Sequence, residues 1–133
     1  MNKKETKRLE KEAFESKVRV ALTSAHEAAQ SAAQEFVANA NLTSDGFVSD
    51  ISGSAIVIVL YPSYRLRQAL KAMDEIQWWY QGGWSISNFY SAVPPAGIHS
   101  ISAHRCACEA ASKVLKKDLS GEGKLFFSRG YTT

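Results

Sequence analysis

The chain has 133 residues and a formal net charge of +3, with 45% apolar and 22% charged residues. This length fits a single domain with a core of its own, and this composition excludes a globally disordered chain. The longest apolar run, residues 55–61, is much shorter than the roughly 18 residues that a membrane-spanning helix needs, so we expect no membrane association.

The N-terminal segment and the cysteine content predict the cellular compartment. The first residues are charged and lack the apolar stretch of a secretory signal. Cys106 and Cys108 are separated by one residue and do not provide a disulfide framework. We therefore expect a cytoplasmic protein. Both ends of the chain are basic and its middle is acidic, a pattern weaker than the basic face of a dedicated nucleic-acid-binding protein.

Residues 4–39 are predicted to form one long helix. From Phe14 to Val37 the apolar residues recur at steps of three and four, and no proline or glycine interrupts them. Alanine, the best helix former, is frequent in this segment. Residues 1–12 lack the apolar stripe, so we expect a charged, frayed helical arm on a single domain that spans residues 1–133.

Two strands and a second helix are predicted next. Residues 47–51 alternate weakly and predict a short strand, with Gly53 as a turn that follows it. Residues 55–61 are continuously apolar and mostly β-branched, which indicates a central strand covered on both faces. Ser63 is predicted to cap a second helix that continues to residue 80 or 81 and stops at the glycine pair 82–83.

The remaining elements complete an α+β fold. A strand is predicted from Trp84, a third helix from Ser100 or Ser102 to Leu119, and a last strand over residues 124–128. The order of these elements predicts a long N-terminal helix and a small mixed or antiparallel sheet of three to four strands, with two further helices packed against the sheet.

No residue pattern predicts a catalytic centre, a metal site or a cofactor. His104 and Cys108 are four residues apart on the third helix, a spacing that can hold a metal ion. A structural zinc site needs four ligands, however, and the chain has neither a CxxC nor an HExxH motif. Ser54 lacks the surroundings of a nucleophile elbow, and Gly-rich phosphate loops are missing. These observations favour a non-enzymatic protein without a cofactor.

The segment 77–90 contains all three tryptophans and six of the fourteen aromatic residues. Consecutive residues of a helix point about 100° apart, so Trp78, Trp79 and Tyr80 cannot all face one core. Tyr80 is predicted to complete the buried face of the second helix, and Trp84 is predicted to be core, as is Ile86. Trp78 is left without a buried environment, and so is Phe89.

Large exposed rings predict a surface that binds another protein, because Trp and Tyr dominate interface hot spots. Full burial of every ring by local packing is the alternative explanation of the same residues. The predicted interface residues are Trp78, Trp79, Tyr80 and Phe89.

Basic residues near aromatic residues support a second function. If they converge in space, they can neutralise phosphates while a ring stacks on a base. No RNP-type, GXXG or helix-turn-helix motif accompanies them. The predicted nucleic-acid-binding residues are Arg65, Arg67, Lys71, Lys113, Lys116 and Lys117.

Two functional hypotheses follow. The first is a small non-enzymatic protein that binds another macromolecular assembly as an adaptor, an accessory subunit or an inhibitor. Chains of this size without a motif are common among phage and mobile-element proteins, which include inhibitors of host defence complexes. The alternative is a nucleic-acid-binding domain that uses the basic residues of the second and third helices. Self-association through a strand edge or the alanine-rich helix also remains open.

Overall fold

The computed structural model describes residues 2–79 and 83–133 and contains seven principal elements. The helices are α1 (Lys3–Ala38), α2 (Tyr64–Ala72) and α3 (Ile101–Asp118). The strands are β1 (Gly53–Leu60), β2 (Ile76–Trp79), β3 (Gly83–Ile86) and β4 (Leu125–Thr132). The predicted α+β fold, with its long N-terminal helix and small sheet, is confirmed. No helix in the described part of the chain is long and apolar enough to cross a bilayer.

The four strands form one antiparallel sheet in the order β2-β3-β1-β4. The prediction of a central strand over residues 55–61 is confirmed in its position, because β1 pairs with β3 on one side and with β4 on the other. Two parts of this prediction are wrong: Tyr61 lies outside the strand with a φ of 50°, and the core cluster covers one face of β1 instead of both. The prediction that Gly53 turns the chain is wrong. Gly53 is the first residue of β1 and pairs with Thr132. A Cβ atom at Gly53 would lie 2.5 Å from the Tyr131 carbonyl oxygen, which explains why this strand begins with glycine.

The hydrophobic core lies on one face of the sheet, which we call the helix-covered face. Directly opposed residues of antiparallel strands share a face, so Val59, Trp84 and Phe126 point the same way. Val57 and Ile86 lie on this face as well and are fully buried. Helix α3 packs here, since the Cβ position of Gly130 lies against the side chain of Arg105.

Helix α1 packs antiparallel to α3 and forms the outer wall of the core. One stripe of α1 is almost completely buried, and its small side chains allow close approach of the two helices. The buried members are Phe14, Val18, Ala21, Leu22, Ala25, Ala29 and Ala33. Residues 2–13 are all exposed, although α1 already begins at Lys3 and is capped by the Asn2 side chain.

The predicted extent of the second helix is wrong at its C-terminal end. Ser63 caps α2 as predicted, but the helix ends at Ala72. Asp74 then adopts a left-handed conformation (φ 56°), and the Glu75 N–H bonds back to the Leu70 carbonyl. Residues 76–79 form β2, because pairing with β3 satisfies the backbone groups on one edge of this segment and tryptophan favours strands. Residues 80–82, including the predicted helix end, lie outside the described residues.

The strand predicted over residues 47–51 does not form a ladder. Val48 makes an isolated bridge with Leu42, while its N–H donates to the Ala96 carbonyl. The Ser49 N–H donates to the Asn41 carbonyl instead. Because the N–H groups of Val48 and Ser49 bond to two different segments, residues 47–51 do not pair along one neighbouring strand. The third helix agrees with the prediction, and the last strand continues to Thr132.

Candidate functional site

Trp78 is the most exposed indole among the described residues, with 55% of its surface accessible. It lies in β2, a four-residue edge strand, directly opposite Trp84 in β3. The two ring centroids are 4.9 Å apart with an interplanar angle of 78°, an edge-to-face contact. Trp84 is half-buried and packs against the core. The exposed indole of Trp78 therefore packs on Trp84, whose position is fixed by its contact with the core.

Two cations of α2 lie over the same Trp84 ring. The Arg67 guanidinium carbon is 5.8 Å and the Lys71 Nζ is 5.6 Å from the ring centroid, both within cation–π range. The two residues share a helix face because they are four residues apart. Neither forms a salt bridge with a carboxylate in the described part of the chain. We call the group Arg67, Lys71, Trp78 and Trp84 the Trp78 surface.

The adjacent Trp79 lies on the opposite face of the sheet. Successive residues of a strand alternate between faces, so Trp78 and Trp79 cannot belong to one patch. The Trp79 ring is half-buried, with its centroid 6.4 Å from that of Tyr131. The structure thus separates two of the predicted interface residues, and a third, Tyr80, lies outside the described residues.

The expectation that Phe89 lacks a buried environment is wrong, since only 3% of its surface is accessible. The chain leaves β3 at Ser87, which has a φ of 57°, and this turn directs the following residues towards α1. There the Phe89 ring packs on His26 at a centroid distance of 4.3 Å, and His26 Nε2 is hydrogen-bonded to Ser87 Oγ. Phe89 is a core residue.

The six predicted basic residues have different neighbours in the described part of the chain. Only Arg67 and Lys71 lie over Trp84, the ring that contacts the exposed indole of Trp78. Arg65 forms two hydrogen bonds with the Glu122 carboxylate and lies 4.1 Å from the Phe14 ring centroid. The hydrogen bond from Arg65 lowers the pKa of Glu122, and burial opposes that shift. This ion pair connects the first turn of α2 to the loop between α3 and β4.

The three lysines of α3 are exposed, and among the described residues the cations over Trp84 are Arg67 and Lys71 instead. Lys113 lines a groove beside the C-terminal half of α1, with Asp50 in the same groove. Lys116 and Lys117 occupy the last turn of α3, where positive charge stabilises the helix dipole. Their positions fit helix-end electrostatics rather than one phosphate-binding track.

His104 and Cys108 are buried in α3. His104 Nε2 donates to the Ile98 carbonyl oxygen, and its ring stacks on Tyr90 at 4.9 Å. Burial raises the pKa of Cys108 to about 12, so its thiol stays protonated at neutral pH. Within residues 2–79 and 83–133 no group of three or more His, Cys, Asp or Glu side chains is arranged to hold a metal ion.

Sequence reasoning did not identify the contribution of Trp84 to this surface, because it was predicted as core. The available signal was the pairing of two alternating segments across the glycines at 82–83, which predicts a hairpin with Trp78 and Trp84 on one face. The chain matches no protein-family model, no curated protein and no solved structure.

Proposed function

We propose that this protein acts by binding another protein through the Trp78 surface, as an adaptor, an accessory subunit or an inhibitor. The observation that carries the proposal is an indole that is 55% exposed yet held edge-on against Trp84. Single exposed apolar residues are common on soluble proteins, and Tyr61 and Tyr64 are more exposed than Trp78. The proposal therefore rests on the combination of the exposed indole, its ordered contact with Trp84 and the two cations over Trp84. Tryptophan is also among the residues most enriched in binding hot spots.

The contact with Trp84 orders the Trp78 side chain in the free protein, which favours a role of Trp78 as the central residue of a binding interface. A side chain that is already ordered in the free protein loses less rotational freedom on binding than a mobile one. Trp84 provides this order through the edge-to-face contact, and it is itself held by its packing against the core and by the cations of Arg67 and Lys71 within cation–π range. The expected partner therefore offers an apolar pocket that accepts a preformed indole.

The positive charge of the Trp78 surface indicates which residues should surround the partner's pocket. Arg67 and Lys71 make no salt bridge within the described residues, so their charge is available to a partner. Carboxylates around the pocket would complement this charge, which accelerates association and restricts orientation. A partner with an acidic rim around an apolar centre fits the Trp78 surface best.

A single-stranded nucleic acid is the second candidate partner. An aromatic ring beside two cations is the combination that such proteins use to stack bases and neutralise phosphates. Arg67 and Lys71 lie over Trp84, whose ring contacts the exposed indole of Trp78, so the surface supplies this combination on a small scale. It ranks second because Arg65 is paired with Glu122, Lys113 lines the groove beside α1, and Lys116 and Lys117 occupy the end of α3.

Affinity capture from a nuclease-treated lysate of the source cells tests the proposal. The wild-type chain is compared with Trp78→Ala and with a matched control, Tyr61→Ala. Tyr61 is an aromatic residue that is 71% exposed outside the Trp78 surface. A protein retained by the wild type and by Tyr61→Ala but lost in Trp78→Ala supports the proposal. Equal retention by all three chains contradicts it.

Salt dependence separates the two candidate partners. Anisotropy of a labelled single-stranded oligonucleotide is measured with wild type and Trp78→Ala. Nucleic-acid affinity falls steeply between about 50 and about 200 mM salt, whereas a contact centred on an indole changes little. Saturable oligonucleotide binding that is lost in Trp78→Ala, together with nuclease-sensitive capture, would favour the second candidate.

A further inference from the structure

The sheet has a second face, which we call the open face. In the described part of the chain, every sheet residue of the main core cluster belongs to the helix-covered face. The open face is nevertheless largely apolar and aromatic. Its large apolar side chains are Ile56, Ile58, Leu60, Trp79, Leu125, Phe127 and Tyr131.

The rings of the two edge strands meet over this face. Trp79 belongs to β2 and Tyr131 to β4, and their centroids are 6.4 Å apart although β3 and β1 lie between those strands. Both side chains therefore reach across the sheet. Ile58, on the central strand, is only 2% exposed. The open face is thus partly covered by its own rings, and its exposed apolar residues, Leu125 (44%) and Tyr131 (40%), both lie on β4.

The outer edge of β4 is long and poorly protected. β4 has eight residues, ends the strand order and pairs with no other strand among the described residues. Natural edge strands are usually short or carry proline, lysine or a bulge that prevents pairing. β4 contains no proline or lysine, and Arg129 is its one charged residue. Such an edge favours pairing with another strand.

We propose that the occupant of this edge is a second copy of the chain, paired antiparallel through β4 about a two-fold axis at Ser128. The two sheets then form one eight-stranded sheet, and their open faces join on the same side. The interface is isologous, since both copies use the same strand. This dimer is independent of the Trp78 surface, because β2 lies at the opposite end of the sheet from β4.

The backbone phase of β4 permits this register. The Thr133 N–H donates to the Ser52 carbonyl, which continues the β1–β4 register by one pair. In antiparallel strands hydrogen-bonded and non-hydrogen-bonded pairs alternate, so the odd-numbered residues of β4 direct their backbone groups towards β1. The backbone N–H and C=O groups of Phe126, Ser128 and Gly130 therefore point away from β1, towards the free edge. A two-fold axis at Ser128 places these groups opposite the same groups of the second copy, so they can form hydrogen bonds.

The side chains select the same register. With the axis at Ser128, Leu125 lies opposite the partner's Tyr131, an apolar–aromatic pair on the open face. Phe127 lies opposite the partner's Arg129, so the two charges do not meet. Moving the axis to Arg129 would place this residue opposite its own copy, and like charges directly opposite each other are destabilising. Among the outward-directed residues of β4, an axis at Ser128 pairs the longest part of the strand, residues 125–131, with its copy.

Sedimentation velocity over a concentration series tests the dimer. The wild type is expected to shift with concentration from the 14.6 kDa monomer towards twice that mass. Ser128→Pro removes an outward N–H, which an edge strand tolerates, and is expected to weaken the dimer at least about tenfold. Tyr131→Lys is the second variant, because it places a charge opposite Leu125. Trp78→Ala is the control that leaves the dimer unchanged, and circular dichroism verifies that each variant is folded.

Cysteine cross-linking tests the register directly. In a Cys106→Ser background, Ser128→Cys places two thiols across the axis, where hydrogen-bonded pairs have Cα atoms about 5.5 Å apart, within disulfide range. Arg129→Cys is the matched control, since its thiols lie on non-opposed residues. Oxidation is expected to give a covalent dimer with Ser128→Cys and none with Arg129→Cys. The proposal would be overturned by a chain that stays monomeric in sedimentation or by equal cross-linking of Ser128→Cys and Arg129→Cys. Pairing of β4 with a different protein would also overturn it.

Discussion

The indole of Trp78 stands edge-on against that of Trp84, at a centroid distance of 4.9 Å, across the β2–β3 ladder. Contacts of this geometry contribute about 0.5–1.5 kcal/mol beyond the burial of apolar area. Trp84 packs against the core and Trp78 does not, so one ring of the pair belongs to the fold and the other to the surface. This division of roles is the basis of the predictions on stability and on binding.

Trp78 and Phe89 are expected to differ sharply in their effect on stability. Phe89→Ala removes a ring that is 3% exposed and should lower the free energy of unfolding by about 3–5 kcal/mol. Trp78→Ala removes a half-exposed ring and should cost less than about 1.5 kcal/mol, mainly the contact with Trp84. Urea denaturation followed by circular dichroism measures both values. Equal losses would contradict the assignment of Phe89 to the core.

Asp50 is expected to make stability dependent on pH. Burial alone would raise its pKa, but hydrogen bonds from Ser100 Oγ and the Ser102 and Ile51 N–H groups outweigh burial and lower the pKa to about 2. A carboxylate with a lowered pKa stabilises the fold above its unfolded value, about 3.9, and this contribution is lost as the pH falls towards about 2.

Asp50→Asn therefore should lower stability by about 1 kcal/mol at pH 7, the usual size of a helix-capping effect. The carboxylate is exposed, so solvent screening keeps the loss small. The difference between the two chains should shrink between about pH 4 and about pH 2, where the native carboxyl becomes protonated. Thermal melts of both chains across this range provide the check, and parallel pH profiles would disprove the role of Asp50.

The two thiols are expected to react slowly. Burial raises the pKa of Cys108 to about 12, and burial also raises that of Cys106, with a further contribution from the charge of Glu109. Because the thiolate is the reactive form, a thiol-specific reagent at pH 7.5 should modify both residues much faster in urea than in buffer. Fast modification of Cys108 in the native protein would show that α3 opens at this position.

The charged arm at the start of α1 is expected to contribute little to stability. Residues 2–13 are all exposed, and the Arg8–Glu12 ion pair has both side chains more than half exposed. Deletion of residues 2–10 should change the free energy of unfolding by less than about 0.5 kcal/mol. The same deletion extended past Phe14, which is 8% exposed, should destabilise the protein clearly. A large effect of the shorter deletion would place the arm within the folded domain.

The fold was predictable where one periodicity dominates. The steps of three and four in α1 and the β-branched run of β1 depend on local sequence, and the helix and the strand were both predicted at the right place. The predicted coverage of β1 on both faces was wrong, because the core cluster lies on one face of the sheet. The segment after Ala72 was assigned wrongly because Met73 and Ile76 continue the helical spacing of α2. Pairing with β3, a tertiary interaction, decides in favour of a strand there.

The candidate site was predictable only in part, for the same reason. Trp78 was correctly identified as a ring without a buried environment, although a strand rather than a helix exposes it. Phe89 was misjudged because its burial depends on the turn at Ser87 and on contact with His26, far away in the sequence. The contact of Arg67 and Lys71 with Trp84 joins two elements and has no signature in either one.

The most direct test of the central claim is a calorimetric titration of the captured partner protein with wild type, Trp78→Ala and Tyr61→Ala. Loss of a hot-spot tryptophan costs at least about 2 kcal/mol, so the Kd of Trp78→Ala should rise by about thirtyfold or more. The Kd of Tyr61→Ala should stay within about threefold of wild type, as expected for a residue outside the interface. A Trp78→Ala chain that binds its partner as tightly as Tyr61→Ala would contradict the account.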